Sequence, residues 1–140
     1  MSRYVLDANV PIKWFVPEEL TPQAVRLLEG DHEFIVPDLV YPETGHALWQ
    51  KVRRRQITAS EARVALDGIV TAPLTTYPAR ELVSSALELA LRLDCTVYDG
   101  CYLGLAVLAD CQLVTGDRRF ETLLSGTFRR HVLPLASLPG

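Results

Sequence analysis

What most limits the fold of this chain is an alternation along its length. Short apolar runs rich in β-branched and aromatic residues take turns with longer stretches whose apolar residues recur at helical spacing. Residues 3–6 (Arg-Tyr-Val-Leu) read as a buried strand stopped by Asp7, and Glu33–Val36 as a second, closed by Pro37 and Asp38. Cys111–Thr115 is a further strand, ended by Gly116-Asp117. Leu74–Tyr77, between prolines, is a weaker candidate, and His131–Leu133 adds an edge strand. Between them lie helical segments. The first carries Trp14 and Phe15 and stops at Pro17, and the second covers Pro22–Leu28 with Gly30 just beyond. A long helix starts near Tyr41, with Asp38 as an alternative cap, and runs through Glu43, Ala47 and Leu48 to about Gln56. Thr58-Ala59-Ser60-Glu61 has the form of a capping box for the next. Arg80–Leu93 follows with an apolar stripe, then a helix opened by Asp99 after an extended approach (Thr96–Tyr98), and a last helix holding Phe120 and Leu124.

Strands separated by helices pair in parallel and are covered on both faces. The expectation is therefore an α/β three-layer sandwich with a central, mainly parallel sheet, residues 1–140 forming a single domain. In such sheets, ligands bind beyond the carboxyl ends of the strands.

Composition narrows the function. The apolar stretches are broken by charges before reaching the length of a membrane span, so no membrane is expected. Asp7 arrives too early for a secretory leader, which makes the cytoplasm the expected location. Cys95, Cys101 and Cys111 form neither an even set nor a C-x-x-C pair and read as core residues. The net charge of −3 gives no global attraction for nucleic acid. The basic residues are nevertheless uneven, with Lys51, Arg53, Arg54 and Arg55 clustered and Arg118-Arg119 and Arg129-Arg130 in pairs.

Four acids share one topological position. Asp7 and Asp117 end strands, Asp99 opens a helix, and Glu43 lies near the start of the long helix. All four fall where chain leaves the carboxyl edge of the sheet. Two carboxylates about 4 Å apart repel by roughly 4 kcal/mol at an effective dielectric near 20, so such a group calls for protons or cations. Oxygen ligands suit magnesium or manganese; His32, His46 and His131 are scattered and offer no zinc site. Any one aspartate would serve as a helix cap, but Glu43 is a poor cap type, which favours the set as a site.

The residues carrying these acids resemble a known family. Leu6-Asp7-Ala8-Asn9, Pro42-Glu43 with Ala47-Leu48, Tyr98-Asp99-Gly100-Cys101-Tyr102-Leu103-Gly104-Leu105-Ala106 and Leu113-Val114-Thr115-Gly116-Asp117-Arg118-Arg119-Phe120 follow the order of the PIN-domain family. The similarity is greatest to the VapC-type toxins of toxin–antitoxin pairs and spans roughly residues 3 to 133. It implies an endoribonuclease using magnesium or manganese, hydrolysing RNA, neutralised by a small antitoxin protein and usually a homodimer. By motif, Asp7, Glu43, Asp99 and Asp117 correspond to the acidic quartet, and Asn9 and Thr115 to polar helpers. Gly100 and Gly104 depart from the usual Ala and suggest a close helix contact, such as a dimer interface. Gly45-His46 departs too: His46 is either a polar neighbour of Glu43 or, preferably, a surface residue.

The expected chemistry has Asp7 as central metal ligand, completed by Asp99 and Asp117. Glu43 either ligates directly or acts through water as a base. Arg118, beside Asp117, is the candidate for substrate phosphate. A phosphoacceptor domain is disfavoured because the only lysines, Lys13 and Lys51, come too early, and an Asp-x-Asp phosphatase because Asn9 stands where the second acid belongs. The alternative kept open is a catalytically inactive PIN-like module that binds RNA or protein.

Overall fold

A computed structural model describes residues 2–140, except for the side chains of residues 124 and 125. The expectation for Leu124 therefore lies outside the described residues. Among the described residues, five strands form one parallel sheet in the order β3-β2-β1-β4-β5. They are β1 (Ser2–Leu6), β2 (His32–Pro37), β3 (Leu74–Tyr77), β4 (Gln112–Thr115) and β5 (Val132–Pro134). The chain builds outward from β1 through β2 to β3, then returns to add β4 on the other side of β1. The switch in direction therefore lies between β1 and β4, where a parallel sheet opens a crevice at its carboxyl edge. The three-layer α/β expectation holds.

Among the described residues, six α-helices flank the sheet: α1 (Asn9–Phe15), α2 (Thr21–Glu29), α3 (Val40–Arg53), α4 (Ala59–Thr71), α5 (Ala79–Leu93) and α6 (Val97–Leu108). Helix α6 packs on β1, β2 and β4, and its residues Asp99–Ala106 are all buried. A helix apolar on every side belongs in the interior, and α5 covers its outer face. There Gly100 has a steric reason: a Cβ at this position would stand 2.5 Å from the Ala86 carbonyl oxygen of α5. The expected close contact at Gly100 is thus internal. A second, smaller core joins Ile12 and Val16 to Leu48, Ala65 and Ile69, fastening α3 and α4 to α1.

Local signals account for most boundaries. Thr58 accepts from the Glu61 amide while Glu61 accepts from the Thr58 amide, so the capping box forms as its sequence predicts. Asp38 does not cap α3, which starts after Leu39; its carboxylate instead accepts from the amide of Ala79 and closes the start of α5. Two expectations need correcting. Thr96–Tyr98 is no extended approach: Thr96 accepts from the Asp99 amide and caps α6, placing Asp99 inside the first turn. The last helical segment, Arg118–Ser125, is a 3₁₀ helix rather than an α-helix. No helix among the described residues is long and apolar enough to cross a membrane.

Candidate active site

Asp7 closes β1 and is buried, with its amide donating to the Val114 carbonyl of β4 (3.0 Å). Its Oδ1 accepts from the Ala8 amide (2.8 Å), and its Oδ2 from Asn9 Nδ2 (3.1 Å) and Thr115 Oγ1 (2.8 Å). Thr115, the last residue of β4, also accepts from the Asp117 amide (3.0 Å). Asn9 Oδ1 accepts from the Gly116 amide (2.9 Å). Asn9 and Thr115 therefore lace the ends of β1 and β4 together across the crevice and fix two acids at once.

Asp117 caps the 3₁₀ helix, accepting from the Arg119 amide (2.8 Å). The Arg119 side chain then spans two acids, with Nε on Asp117 Oδ2 (2.5 Å) and a terminal nitrogen on Asp99 Oδ1 (3.3 Å). Asp99 thus meets Asp117 through one guanidinium, the Thr115 hydroxyl ties the Asp117 backbone amide to the Asp7 carboxylate, and Asp7 feels the charges of both other aspartates. The three aspartates converge. Glu43, in the first turn of α3, faces the same place and feels the charges of Asp7 and Asp99.

Burial is the main cause of unusual acidity here. It lifts Asp7 to about 6 against the hydrogen bond from Thr115, with Asp99 and Asp117 adding repulsion. It lifts Glu43 to about 7; the neighbouring Tyr102 hydroxyl works against this, and Asp7 and Asp99 reinforce it. Glu43 Oε1 and the Tyr102 hydroxyl are both buried without a hydrogen-bond partner among the described residues. Their approach falls short of full hydrogen-bond geometry.

These observations test whether a divalent ion suits the site. Every donor is oxygen, one buried carboxylate oxygen has no partner among the described residues, and burial, reinforced by the neighbouring acids, lifts Asp7 to about 6 and Glu43 to about 7. The residues fit a hard cation. Among the described residues no three such side chains stand together at metal-holding distances. Arg119 occupies the gap between Asp99 and Asp117.

Two clefts flank the acids. One, of about 180 Å³, is lined by Lys13, Thr115, Asp117 and Arg118; the other, of about 430 Å³, by Asp94, Cys95, Thr96, Asp99 and Arg119. Arg118 is exposed at the first cleft, while the guanidinium that reaches the carboxylates belongs to Arg119. Sequence reasoning missed Arg119 and Tyr102. The spacing Asp-x-Arg at a capped turn, which folds the arginine back on its cap, was the available signal for the first. His46 is exposed and stacks on Trp49, away from a role beside Glu43.

Comparison with known proteins identifies the family and the fold. The PIN domain profile matches residues 4–123. Ribonuclease VapC3 of Pyrobaculum aerophilum is 32% identical over 119 residues, covering 84% of this chain and 91% of that protein. Ribonuclease VapC1 of Mycobacterium tuberculosis is 37% identical over 120 residues, covering 85% and 89%. A toxin–antitoxin complex from Klebsiella pneumoniae includes a chain of similar fold, with a TM-score of 0.60 at 14% identity and coverage of 94% and 97%. With the profile spanning most of its length and the acids gathered at the switch point, the chain belongs to the PIN-domain family.

Proposed function

We propose that this protein is a divalent-metal-dependent endoribonuclease acting as the toxin of a toxin–antitoxin pair. The observation that carries the reading is the convergence of Asp7, Asp99 and Asp117, through Thr115 and Arg119, beside the unpaired Glu43 oxygen. The naming of its relatives as ribonucleases supports the reaction. Asp7, Glu43, Asp99 and Asp117 would hold magnesium or manganese, with Asp7 central. A bound ion would supply an activated water and neutralise charge on the phosphate and leaving oxygen. Asn9 and Thr115 keep the Asp7 carboxylate aimed into the crevice. Glu43, poised near neutrality, either ligates or takes a proton from water. Arg118 lines the smaller cleft, where an RNA phosphate next to the scissile one would lie.

The partners follow the same reading. A small antitoxin is supported by the solved toxin–antitoxin complex of similar fold. A homodimer is supported by Val83, Leu87 and Leu91, spaced four apart on α5 and exposed. Light scattering on the purified chain measures the assembly.

The test is Asp7→Asn and Asp99→Asn against wild type, with single-stranded RNA, manganese or magnesium, and chelator. Cleavage requires the ion and collapses in both variants while circular dichroism stays unchanged. Folded variants with full activity would remove these residues from the mechanism. One observation favours the rival reading of a non-catalytic binding module, namely that Arg119 already pairs with Asp99 and Asp117. RNA binding without cleavage under any ion is its signature.

A further inference from the structure

The mechanism has no use for Arg119, yet this residue makes more direct contacts with the acids than any other cation among the described residues. Its backbone amide and Nε hold both oxygens of Asp117, and its terminal nitrogen reaches Asp99 on another element. We propose that the Arg119 guanidinium and a divalent ion are alternative occupants of the same Asp99 and Asp117 oxygens, and that Arg119, on yielding them, takes an RNA phosphate in the adjoining larger cleft. This rests on the metal-dependent reading above.

Charge makes the exchange favourable. Four carboxylates converge, and one guanidinium brings a single positive charge to two of them. Among the described residues, Asp7 and Glu43 are left without a cationic hydrogen-bond partner. A divalent ion brings twice the charge and prefers hard oxygen donors. Geometry makes the exchange easy. The Arg119 side chain is 59% exposed, so its pairs are screened by water and release at small cost. Arg119 lines the larger cleft together with Cys95, Thr96 and Thr122. A guanidinium turned out of the acids therefore has that cleft beside it, and its planar fork matches two phosphate oxygens. A merely structural tie between α6 and the 3₁₀ helix would have neither consequence.

Calorimetric titration of Mn²⁺ into the chain separates these possibilities. Arg119→Ala should bind Mn²⁺ about three- to tenfold more tightly than wild type, the range set by one exposed and one part-buried ion pair, with Arg119→Lys in between. In chelator, Arg119→Ala should melt lower than wild type, and saturating Mn²⁺ should erase that difference. At saturating Mn²⁺ its KM for single-stranded RNA should rise at least fivefold, with Arg119→Lys partly restoring it. Arg119→Gln repeats the measurement should the alanine variant fail to fold. Unchanged or weaker Mn²⁺ binding by a folded variant would overturn the competition, and an unchanged KM the phosphate contact. Asp7→Asn is the control for the underlying reading: if wild type and Asp7→Asn both bind no Mn²⁺, the metal reading falls and this inference with it.

Discussion

Replacing Asp7 by asparagine should stabilise the ion-free protein at alkaline pH, even as it removes activity. The sign follows from linkage. Asp7 titrates at about 6 in the fold against 3.8 for the ordinary group, chiefly because burial penalises its charge. Between those values the folded chain keeps a proton that the unfolded chain has released, so stability falls as pH rises through this window. Above pH 7 the cost is complete, about 3 kcal/mol, and near pH 5 it is about half that. Asparagine has no charge to bury, and its amide oxygen in the place of Oδ2 can still accept from Asn9 Nδ2 and Thr115 Oγ1, but its nitrogen in the place of Oδ1 cannot accept from the Ala8 amide, a loss of about 1 kcal/mol. The net is a gain of about 2 kcal/mol at pH 8 and about 0.5 kcal/mol at pH 5. Urea denaturation in chelator at the two pH values measures it, and the melting temperature at pH 8 should rise by several degrees. A stability difference that is the same at both pH values, or a variant weaker than wild type at pH 8, would refute the electrostatic account of this site.

The same protons oppose the ion. With Asp7 near 6 and Glu43 near 7, Mn²⁺ binding should strengthen about 20-fold from pH 6 to pH 8, as calorimetry would record; a flat profile would detach these two acids from the ion. Gly100→Ala and Gly45→Ala should act in opposite directions. The first drives a methyl into the Ala86 backbone and costs about 1–3 kcal/mol, whereas the second finds nothing within 4 Å on α3 and gains about 0.5–1 kcal/mol, both read from thermal melts. Thr58→Ala removes one arm of the α4 capping box and should lower stability by about 1 kcal/mol in urea titration.

The order of elements was legible because the buried strands are apolar runs with hard stops. Val5-Leu6 before Asp7 and Leu113-Val114 before Gly116-Asp117 can only be interior strands that end at a polar edge. The strand Leu74–Tyr77 was faint because it lies at the rim of the sheet, with Thr75 and Thr76 exposed, so burial never selected a long apolar run there. Thr96–Tyr98 misled because Val97 and Tyr98 are β-type residues, although Thr96 with Asp99 three residues later is also a helix-start signature. In the first turn of α6 the free amides and the Thr96 cap outweigh residue preference.

The acids and the arginines differ in legibility for a physical reason. An acid that terminates a strand at a switch point is placed by topology, which the sequence pattern specifies. Which of two adjacent arginines faces those acids depends on the phase of the turn that carries them. Residues 118 and 119 sit where Asp117 caps a 3₁₀ segment. In such a segment each residue advances by about 120° rather than the α-helical 100°. The cap bond to the Arg119 amide pins that phase and brings its side chain over Asp117 and Asp99, leaving Arg118 to the neighbouring cleft. Asp117→Asn keeps a cap acceptor for the Arg119 amide but removes the charge that Arg119 Nε pairs with, and should therefore loosen the Arg119 side chain as well as remove an acid. The consequence separates the two arginines: in that variant a further Arg119→Ala change should alter chelator-state stability by less than it does in wild type. Arg118→Ala should cost the same in both backgrounds, within about 0.5 kcal/mol by double-mutant cycle. Equal coupling of both arginines to Asp117 would mean that the turn's phase is not what selects Arg119.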